Sequence, residues 1–318
     1  MAGIAIMGFG TVGSGTYEII TKNEDEFRRK CGEPLIIKKV LDVREFPDDP
    51  VRDVLTANFD DILNDDEITI VAETIGGTGF VYDYTKALLM KGKSVVTSNK
   101  EMIADYGKEL TSLAAKHGAK YLFEASVGGA IPIIRPLRHC LASNNILEIK
   151  GILNGTTNYI LTKMLKTGAS FDDVLKQAQE HGYAEKDPSA DVNGHDTCRK
   201  IAILAWLAFG DRGKDISWEK IPTSGITHIT LEDLRKADAD GFAIKLIGHA
   251  KLVDGKVVCN VSPMWLEKEN PLASVDGVHN AVLVSGDAAG DVMFYGRGAG
   301  KLATGSAIVA DIMEIVRG

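Results

Sequence analysis

The sequence predicts an α/β protein in which a doubly wound parallel sheet is joined to a second, α+β domain. Two observations support this fold class. Short apolar runs alternate with helical patterns up to Pro132, and beyond it paired apolar runs are joined by turn signals. Strands that alternate with helices over short connections form parallel sheets covered on both faces. We therefore expect one domain over residues 1–132, completed by a returning segment at 298–318, and a second domain over 133–297.

The chain opens with a strand, three glycines and a helix in that order. Residues 4–7 form an apolar run of strand length, and Gly8, Gly10 and Gly13 follow in the pattern G-x-G-x-x-G. Such glycines let the backbone approach a pyrophosphate, and the helix N-terminus supplies N–H groups and a positive dipole end. We interpret this segment as a Rossmann-type dinucleotide site rather than a structural glycine turn.

The end of the second predicted strand carries conflicting signals about the nucleotide. The run 34–41 ends in Asp42, and an acid at that position usually binds the ribose hydroxyls of NAD. Arg44, two residues later, could instead bind the additional phosphate of NADP. The sequence leaves this choice open.

Three further strands of the first domain each lead into a loop of small or polar residues. The strands are predicted at 68–72, at 94–97 and from Tyr121, and the helices between them end near Gly92 and at Gly118. Ligands of open α/β sheets bind at the carboxyl ends of the strands, where Lys100 is placed. A solvated lysine at a helix start would occupy the same position.

The second half predicts helices and antiparallel strands. Helices are expected at 155–165, from Ser170 to His181 and from about His195, after a strand at 147–153. Hairpins are expected between 242–252 and 256–261 and between 281–284 and 292–295. A closing helix should begin near Lys301, after a glycine-rich turn.

Charge is concentrated in GYAEKDPSADVNGHDTCRK, Gly182 to Lys200, directly before an apolar helix. Asp196 and Lys200 are four residues apart and share a helix face. An exposed pair of this kind contributes only about 0.3–0.5 kcal/mol, and a lysine gains nothing from the dipole at a helix start. The acids could simply stabilise that start, but Lys200 requires another explanation. We expect Asp196 to hold it in a partly desolvated cleft, where it exchanges a proton with a substrate oxygen.

Composition narrows the classes of partner. The net charge of −8 argues against nucleic acid, and no apolar run has the length of a membrane span. No signal peptide is recognisable, so we expect a soluble cytoplasmic protein. The four cysteines lack metal-ligand spacing, and we expect them to be reduced and buried.

Six blocks, in order along nearly the whole chain, resemble those of homoserine dehydrogenases. They are GFGTVG, TSNK, EASVGGAIPII, NGTTNYIL, the charged block that ends at Lys200, and GRGAG. The resemblance implies a Rossmann domain to which the last helix returns, a substrate and dimerisation domain, and a homodimer. It also implies NAD(P)-dependent interconversion of L-homoserine and L-aspartate 4-semialdehyde, a reaction of threonine and methionine biosynthesis.

The resemblance also implies roles for individual residues. Lys200 would exchange the proton and Asp196 would orient it, Glu185 and Asp191 would hold the substrate amino group, and Lys100 is a second lysine that could pass the proton. Pattern and resemblance together give the candidate cofactor-binding residues Gly8, Phe9, Gly10, Thr11, Val12, Gly13, Asp42, Arg44, Thr97, Lys100, Gly298 and Gly300. A structural sodium ion would be bound by the peptide carbonyls of Glu124, Val127, Gly129 and Ile131.

Two alternatives remain beside this reading. Another two-domain Rossmann oxidoreductase, such as a semialdehyde dehydrogenase, would need a cysteine nucleophile, but no cysteine has a recognisable nucleophile context, and Cys198 lies inside the lysine block. A non-catalytic NAD(P)-binding sensor would have no use for the acidic block with Lys200. Many relatives carry a C-terminal domain that binds threonine; this chain ends at Gly318, so we expect no threonine feedback through such a domain.

Overall fold

The computed structural model describes residues 2–318. Its strands are β1 (Ala2–Met7), β2 (Leu35–Leu41), β3 (Leu55–Thr56), β4 (Ile68–Glu73), β5 (Ser94–Thr97), β6 (Tyr121–Leu122), β7 (Ile146–Ile152), β8 (Phe242–Val253), β9 (Lys256–Glu267), β10 (His279–Gly286) and β11 (Gly290–Arg297). Its helices are α1 (Thr11–Lys22), α2 (Glu24–Cys31), α3 (Asp60–Leu63), α4 (Gly79–Met90), α5 (Lys100–Lys116), α6 (Gly155–Thr167), α7 (Phe171–Glu180), α8 (Ser189–Val192), α9 (His195–Phe209), α10 (Leu231–Ala239) and α11 (Lys301–Arg317). The elements form two compact units: the first ends at Ala130 and is completed by Ala299–Gly318, and the second is Ile131–Gly298.

The first unit is built on a parallel sheet with the strand order β3-β2-β1-β4-β5-β6. The strand order reverses direction between β1 and β4, which defines a doubly wound sheet with a topological switch point at these two strands. All six residues of β1 are buried, as a strand covered on both faces requires. The predicted Rossmann-type fold class is therefore confirmed.

The last helix, α11, belongs to the first unit because it packs against α1. Glycines permit the contact: a Cβ added at Gly15 would lie 2.2 Å from the carbonyl oxygen of Lys301, and one added at Gly305 would lie 2.9 Å from the carbonyl carbon of Gly15. Ile308 and Ile312 of α11 are fully buried in the same core as β1. The C-terminal helix and the N-terminal strand thus contribute to the same hydrophobic core.

The second unit contains an antiparallel sheet with the strand order β11-β10-β7-β8-β9. The turn between β8 and β9 has positive φ angles at both central residues, 48° at Asp254 and 77° at Gly255, which matches the twist of a two-residue hairpin. Helix α9 packs on this sheet where a Cβ added at Gly248 would lie 3.0 Å from Thr197 and 3.1 Å from Ile201. The predicted α+β character of this unit is confirmed.

Some local expectations were wrong. Cys198 is buried, but Cys140 is exposed and Cys31 and Cys259 are half-buried, so the burial expected of all four thiols does not hold. Cys140 ends a π-helical turn, 136–140, that hydrophobic periodicity did not indicate. Within residues 2–318, no helix combines the length and apolar character needed to cross a membrane.

Candidate functional site

The glycine loop between β1 and α1 has the geometry of a phosphate cradle. Gly8 has φ 92°, a conformation that L side chains rarely adopt. A Cβ added at Gly13 would lie 1.9 Å from the carbonyl oxygen of Gly8, so the tight turn excludes any side chain there. At Gly10, in contrast, an added Cβ would meet no protein atom within 4 Å. Open space above Gly10 and the N-terminus of α1 behind it suit a pyrophosphate.

Asp42 and Arg44 form a paired unit beside this loop. The Asp42 carboxylate accepts hydrogen bonds from Arg44 Nε (2.9 Å), Arg44 Nη2 (2.8 Å) and the Phe9 backbone N–H (2.7 Å). These bonds, with the Arg44 side chain first among them, hold the pKa of Asp42 far below its ordinary value despite partial burial. The Asp42 side chain is 7% exposed and that of Arg44 is 58% exposed, so the cation is the more accessible partner.

Thr97 and Lys100 lie at the carboxyl edge of the parallel sheet. Thr97 is the buried last residue of β5, and Lys100 is the half-buried first residue of α5. Between them, Asn99 caps the helix by accepting a hydrogen bond from the Met102 N–H (3.1 Å). The cap fixes the start of α5 and therefore the position of Lys100 just beyond the end of β5.

Lys200 and Asp196 form a buried ion pair on the first turns of α9. Lys200 Nζ donates to Asp196 Oδ2 (2.9 Å) and to the Leu153 carbonyl (2.8 Å), and the two side chains are only 11% and 5% exposed. The pair is thus desolvated, which makes it unlike a surface i,i+4 salt bridge. Leu153 directly follows β7, so the ammonium lies where this strand passes into α6.

Asn154 forms hydrogen bonds to both Asp191 and Asp196, and the sequence analysis did not identify it as a site residue. Its Nδ2 donates to Asp191 Oδ1 (2.7 Å) and to Asp196 Oδ2 (2.9 Å), while its Oδ1 accepts from the Thr157 N–H (2.8 Å) and so caps α6. The available signal was an asparagine before a helix start, which normally indicates only a cap. Its second function depends on residues 37 and 42 positions away along the chain.

Asp191 is held in an environment that opposes its charge. Burial and the neighbouring Asp196 carboxylate raise the pKa of Asp191, while hydrogen bonding from Asn154 and the Lys200 charge lower it. A buried carboxylate with a like-charged neighbour is better satisfied when a cation binds. This acid is therefore suited to an ammonium ligand.

Glu185 lies apart from the Lys200 group in the described structure. It is exposed, and its carbonyl oxygen, rather than its carboxylate, accepts a hydrogen bond from Gln179 Nε2 (3.0 Å). The segment is fixed nearby by the Thr156 hydroxyl, which donates to the Tyr183 carbonyl (2.6 Å). The structure thus groups Lys200, Asp196 and Asp191 and leaves the Glu185 side chain in solvent.

Of the remaining predicted cofactor-binding residues, Thr11 and Val12 begin α1, and Gly298 and Gly300 lie in tight turns. A Cβ added at Gly298 would lie 2.0 Å from Asn280 Nδ2, and Gly300 has φ 132°, so both positions require glycine. Of the segment proposed to bind sodium, Glu124 begins a short 3-10 turn and Gly129 has φ 57°. Residues 124–129 are all buried.

Two family models match this chain. The model "Homoserine dehydrogenase" matches residues 132–313, more than half of the chain, and "Homoserine dehydrogenase, NAD binding domain" matches residues 8–124. The chain belongs to the homoserine dehydrogenase family. Its fold and glycine loop are accordingly those of an NAD(P)-binding oxidoreductase of this family.

Known proteins of the homoserine dehydrogenase family are similar over almost the whole chain. The homoserine dehydrogenase of Synechocystis is 46% identical over 98% of this chain and 73% of that protein. A crystal structure of the Thiobacillus denitrificans homoserine dehydrogenase superimposes with a TM-score of 0.93 at 40% identity, covering 99% of this chain and 73% of that one. A hyperthermophilic archaeal homoserine dehydrogenase mutant in complex with NADPH has a TM-score of 0.82 at 30% identity, covering 99% and 97% of the two chains.

Proposed function

We propose that this protein interconverts L-aspartate 4-semialdehyde and L-homoserine with NADP(H), and that Lys200 exchanges the proton with the substrate oxygen. The first unit would bind the nucleotide and the second unit the substrate. The observation that carries the proposal is the buried Lys200–Asp196 pair, whose hydrogen bonds to Asp196 and the Leu153 carbonyl direct two of the three ammonium hydrogens. The third hydrogen can be donated to a ligand.

The proton transfer follows from this arrangement. Hydride is supplied by the reduced nicotinamide when NAD(P)H is bound. As the aldehyde carbon accepts hydride, negative charge develops on its oxygen, and Lys200 donates a proton there to give the alcohol. In the oxidative direction the Lys200 amine accepts the proton of the hydroxyl. Asp196 stabilises the cationic form of Lys200 in both directions and restricts its rotamer.

The same group of residues can hold the zwitterionic end of the substrate. The Asp191 carboxylate offers a counter-charge to the amino group. The N-terminus of α6, where Gly155 and Thr156 precede the first helical hydrogen bonds, offers N–H groups to the carboxylate. We propose that Glu185 also contributes to amino-group binding, as the family resemblance implies, once the substrate is present.

We propose a preference for NADP(H) because of Arg44. The Asp42 oxygens already accept four hydrogen bonds, two of them from Arg44 side-chain nitrogens, which leaves this acid poorly placed to accept hydrogen bonds from ribose hydroxyls. The exposed guanidinium suits a phosphate. Arg44→Ala should raise the KM for NADPH at least tenfold and change that for NADH less than threefold.

One assay tests the proposed function. Absorbance of NADPH and NADH is followed separately with L-aspartate 4-semialdehyde, and the reverse reaction is followed with L-homoserine and the oxidised nucleotides. We expect turnover in both directions, faster with the phosphorylated nucleotide. Nucleotide binding without turnover of either substrate would instead favour a non-catalytic sensor. Reduction of NADP⁺ or NAD⁺ by the semialdehyde, giving the acid or, with added phosphate, the acyl phosphate, would favour a semialdehyde dehydrogenase.

We further propose that the protein works as a homodimer in the cytoplasm. The sheet of the second unit exposes the apolar side chains of Val258, Met293 and Tyr295, and the strand register places all three on one face. Such a patch is typical of an interface. Light scattering should give a dimer, and Tyr295→Glu should shift it towards monomer.

The sodium ion implied by the resemblance is part of the same proposal. Backbone carbonyls in buried turns, such as those of Glu124, Val127, Gly129 and Ile131, are hard oxygen ligands without a side-chain signature. If the ion is bound, exchanging sodium for a large organic cation should lower the thermal midpoint. A midpoint independent of the cation would contradict the site.

A further inference from the structure

Glu73 is a fully buried carboxylate at the carboxyl end of β4, and proton transfer by Lys200 gives it no role. Its Oε1 accepts hydrogen bonds from the backbone N–H groups of Ile75 (2.9 Å) and Gly76 (3.2 Å), and its Oε2 accepts from the Thr97 hydroxyl (2.6 Å). Its exposed fraction is 0%. The Glu73 side chain thus connects the loop after β4 to the end of β5 by hydrogen bonds.

The bonds around Glu73 continue into a third loop. The Thr97 hydroxyl accepts from the Asn99 N–H (2.9 Å), and Asn99 Nδ2 donates to the Gly77 carbonyl (2.6 Å), so the loops after β4 and β5 are tied twice. Next to Glu73, the Thr74 hydroxyl donates to the Gly8 carbonyl (2.8 Å), which connects the same loop to the phosphate cradle. Together Glu73, Thr74, Thr97, Asn99 and the backbone of residues 75–77 form what we call the Glu73 network.

The Glu73 network lies at the carboxyl edge of the parallel sheet, where a nucleotide would bind. It joins the loops that follow β1, β4 and β5, which are neighbouring strands at the topological switch point, where doubly wound sheets bind their ligands. The Asn99 cap also sets the start of α5 and therefore of Lys100. Every loop that the network holds is one that a nucleotide at this edge would touch.

Stability alone does not account for a carboxylate here. Burial raises the pKa of Glu73, and the bonds from Thr97, Gly76 and Ile75 lower it, so the group is held against a desolvation penalty. The buried Tyr121 hydroxyl beside it has no hydrogen-bond partner in the described residues, and burial together with the Glu73 charge raises the pKa of Tyr121. Burying a carboxylate costs free energy that its hydrogen bonds must offset, so the net contribution of Glu73 to stability is small.

We propose that Glu73 is a positioning residue that holds the loops after β1, β4 and β5 in the nucleotide-binding conformation before the nucleotide arrives. This inference rests on the proposed function and adds a residue that touches neither substrate nor nucleotide. Pre-formed loops avoid an ordering cost during binding, so loss of the carboxylate should weaken nucleotide affinity more than it slows hydride transfer at saturation.

The test compares three variants in two measurements. Glu73→Leu removes both acceptors at similar volume, and Glu73→Gln retains an oxygen that can accept from Ile75 and Gly76. Lys93→Met is the matched control, because Lys93 is buried at the opposite, amino-terminal edge of the same sheet, where its Nζ donates to the carbonyls of Asp65 (2.6 Å) and Ile68 (2.7 Å). The measurements are the NADPH dissociation constant by calorimetry and hydrogen exchange of the segment 75–77 in nucleotide-free protein.

We expect Glu73→Leu to raise the dissociation constant at least tenfold and to accelerate exchange at 75–77 at least tenfold, with kcat at saturating nucleotide reduced less than fivefold. Glu73→Gln should remain within threefold of wild type in both measurements. Lys93→Met should lower the thermal midpoint while leaving the dissociation constant within twofold. Equal weakening by Lys93→Met and Glu73→Leu would overturn the inference, because the effect would then follow stability alone.

The remaining outcomes are also decisive. Wild-type protein that binds NADPH, with Glu73→Leu binding it equally well, contradicts the inference but leaves the proposed function intact; wild-type protein that binds neither nucleotide contradicts both. If Glu73→Leu does not fold, Thr97→Val is used in its place. Its hydrogen exchange at residues 75–77 is measured in nucleotide-free protein, so that a direct contact between Thr97 and the nucleotide cannot influence the result. Exchange at 75–77 should rise at least threefold, and unchanged exchange would overturn the inference.

Discussion

Asn154 shows how a single neutral side chain can organise a charged site. Its two Nδ2 hydrogens are given to different carboxylates, Asp191 and Asp196, while its oxygen caps α6. Two buried acids this close repel each other, and an amide donor placed between them reduces that repulsion without adding charge. The orientation of Lys200 therefore depends on a residue that carries no charge itself.

Replacing Asn154 by serine separates its two functions. Serine keeps an oxygen that can cap α6 but cannot donate to both acids. We therefore expect kcat to fall about tenfold to a hundredfold, the equivalent of one hydrogen bond to a charged group. Ser170→Ala removes a cap from α7, outside the site, and should lower the thermal midpoint without changing kcat. Steady-state kinetics and thermal unfolding of both variants are the measurements. A serine variant with normal kcat would contradict this role.

Asp191→Asn should raise the thermal midpoint of the protein and weaken its binding of L-homoserine. The folded-state pKa of Asp191 is raised by burial and by Asp196, so the folded protein binds this proton more tightly than the unfolded chain. Stability then decreases as the pH rises from the ordinary aspartate range through the folded pKa, and the penalty is fully present above it. We expect the asparagine variant to melt about 2 °C higher at neutral pH. This advantage should vanish in acid, below the unfolded pKa.

The same substitution removes the counter-charge for the substrate amino group. The KM for L-homoserine should therefore rise about tenfold, a loss of roughly 1.4 kcal/mol in binding. Thermal unfolding as a function of pH and steady-state kinetics at neutral pH are the measurements. A variant that melts lower than wild type at neutral pH and keeps its KM would show that Asp191 is not held against its charge.

At this scale the sequence predicted pairs that are close along the chain and missed those that are distant. The spacing of Asp196 and Lys200 placed them on one helical face, and they form an ion pair. The contact of Lys200 with the Leu153 carbonyl spans 47 positions, and no local pattern encodes it. Glu73 was equally invisible, because an acid at the end of an apolar strand looks like the start of a loop.

Among the elements, the glycine loop has separable structural and binding requirements. Gly13→Ala would place a methyl group 1.9 Å from the Gly8 carbonyl oxygen, so the turn must open, and we expect lower thermal stability as well as lost nucleotide binding. Gly10→Ala meets no protein atom and should fold with nearly unchanged stability, yet its methyl group projects into the space above the cradle.

Calorimetric titration with NADPH and thermal unfolding distinguish these two glycines. We expect the Gly10 variant to lose NADPH affinity at least tenfold with a thermal midpoint within about 2 °C of wild type. The Gly13 variant should lose both properties. If Gly10→Ala bound NADPH normally, the space above this residue would not be the phosphate site.

Turn and capping residues predicted some elements correctly, and one short helix was missed. Asp254 and Gly255 form the expected tight turn, and Ser170 caps α7 as its spacing with Asp173 indicated. The short helix α8 follows Asp187 and Pro188, where only a helix block was expected. Proline is tolerated at the start of a helix, which is why α8 can begin directly after Pro188.

For the whole molecule, alternation of strands and helices was sufficient to predict the doubly wound sheet, whereas no local pattern indicates the close packing of α11 on α1. Small residues at Gly15 and Gly305 permit that contact, but a lone glycine within a helix has no single meaning in a sequence. The net charge of −8 is consistent with a small-molecule enzyme and gives no general attraction to polyanions.

The most direct test of the central claim is the rate of hydride transfer in the Lys200→Ala variant, measured as NADPH consumption with L-aspartate 4-semialdehyde in a single turnover. We expect the variant to bind NADPH with nearly wild-type affinity and to transfer hydride about 10² to 10⁴ times more slowly, with Asp196→Ala in between. A Lys200→Ala variant that reduces the semialdehyde within a few-fold of the wild-type rate would contradict the account.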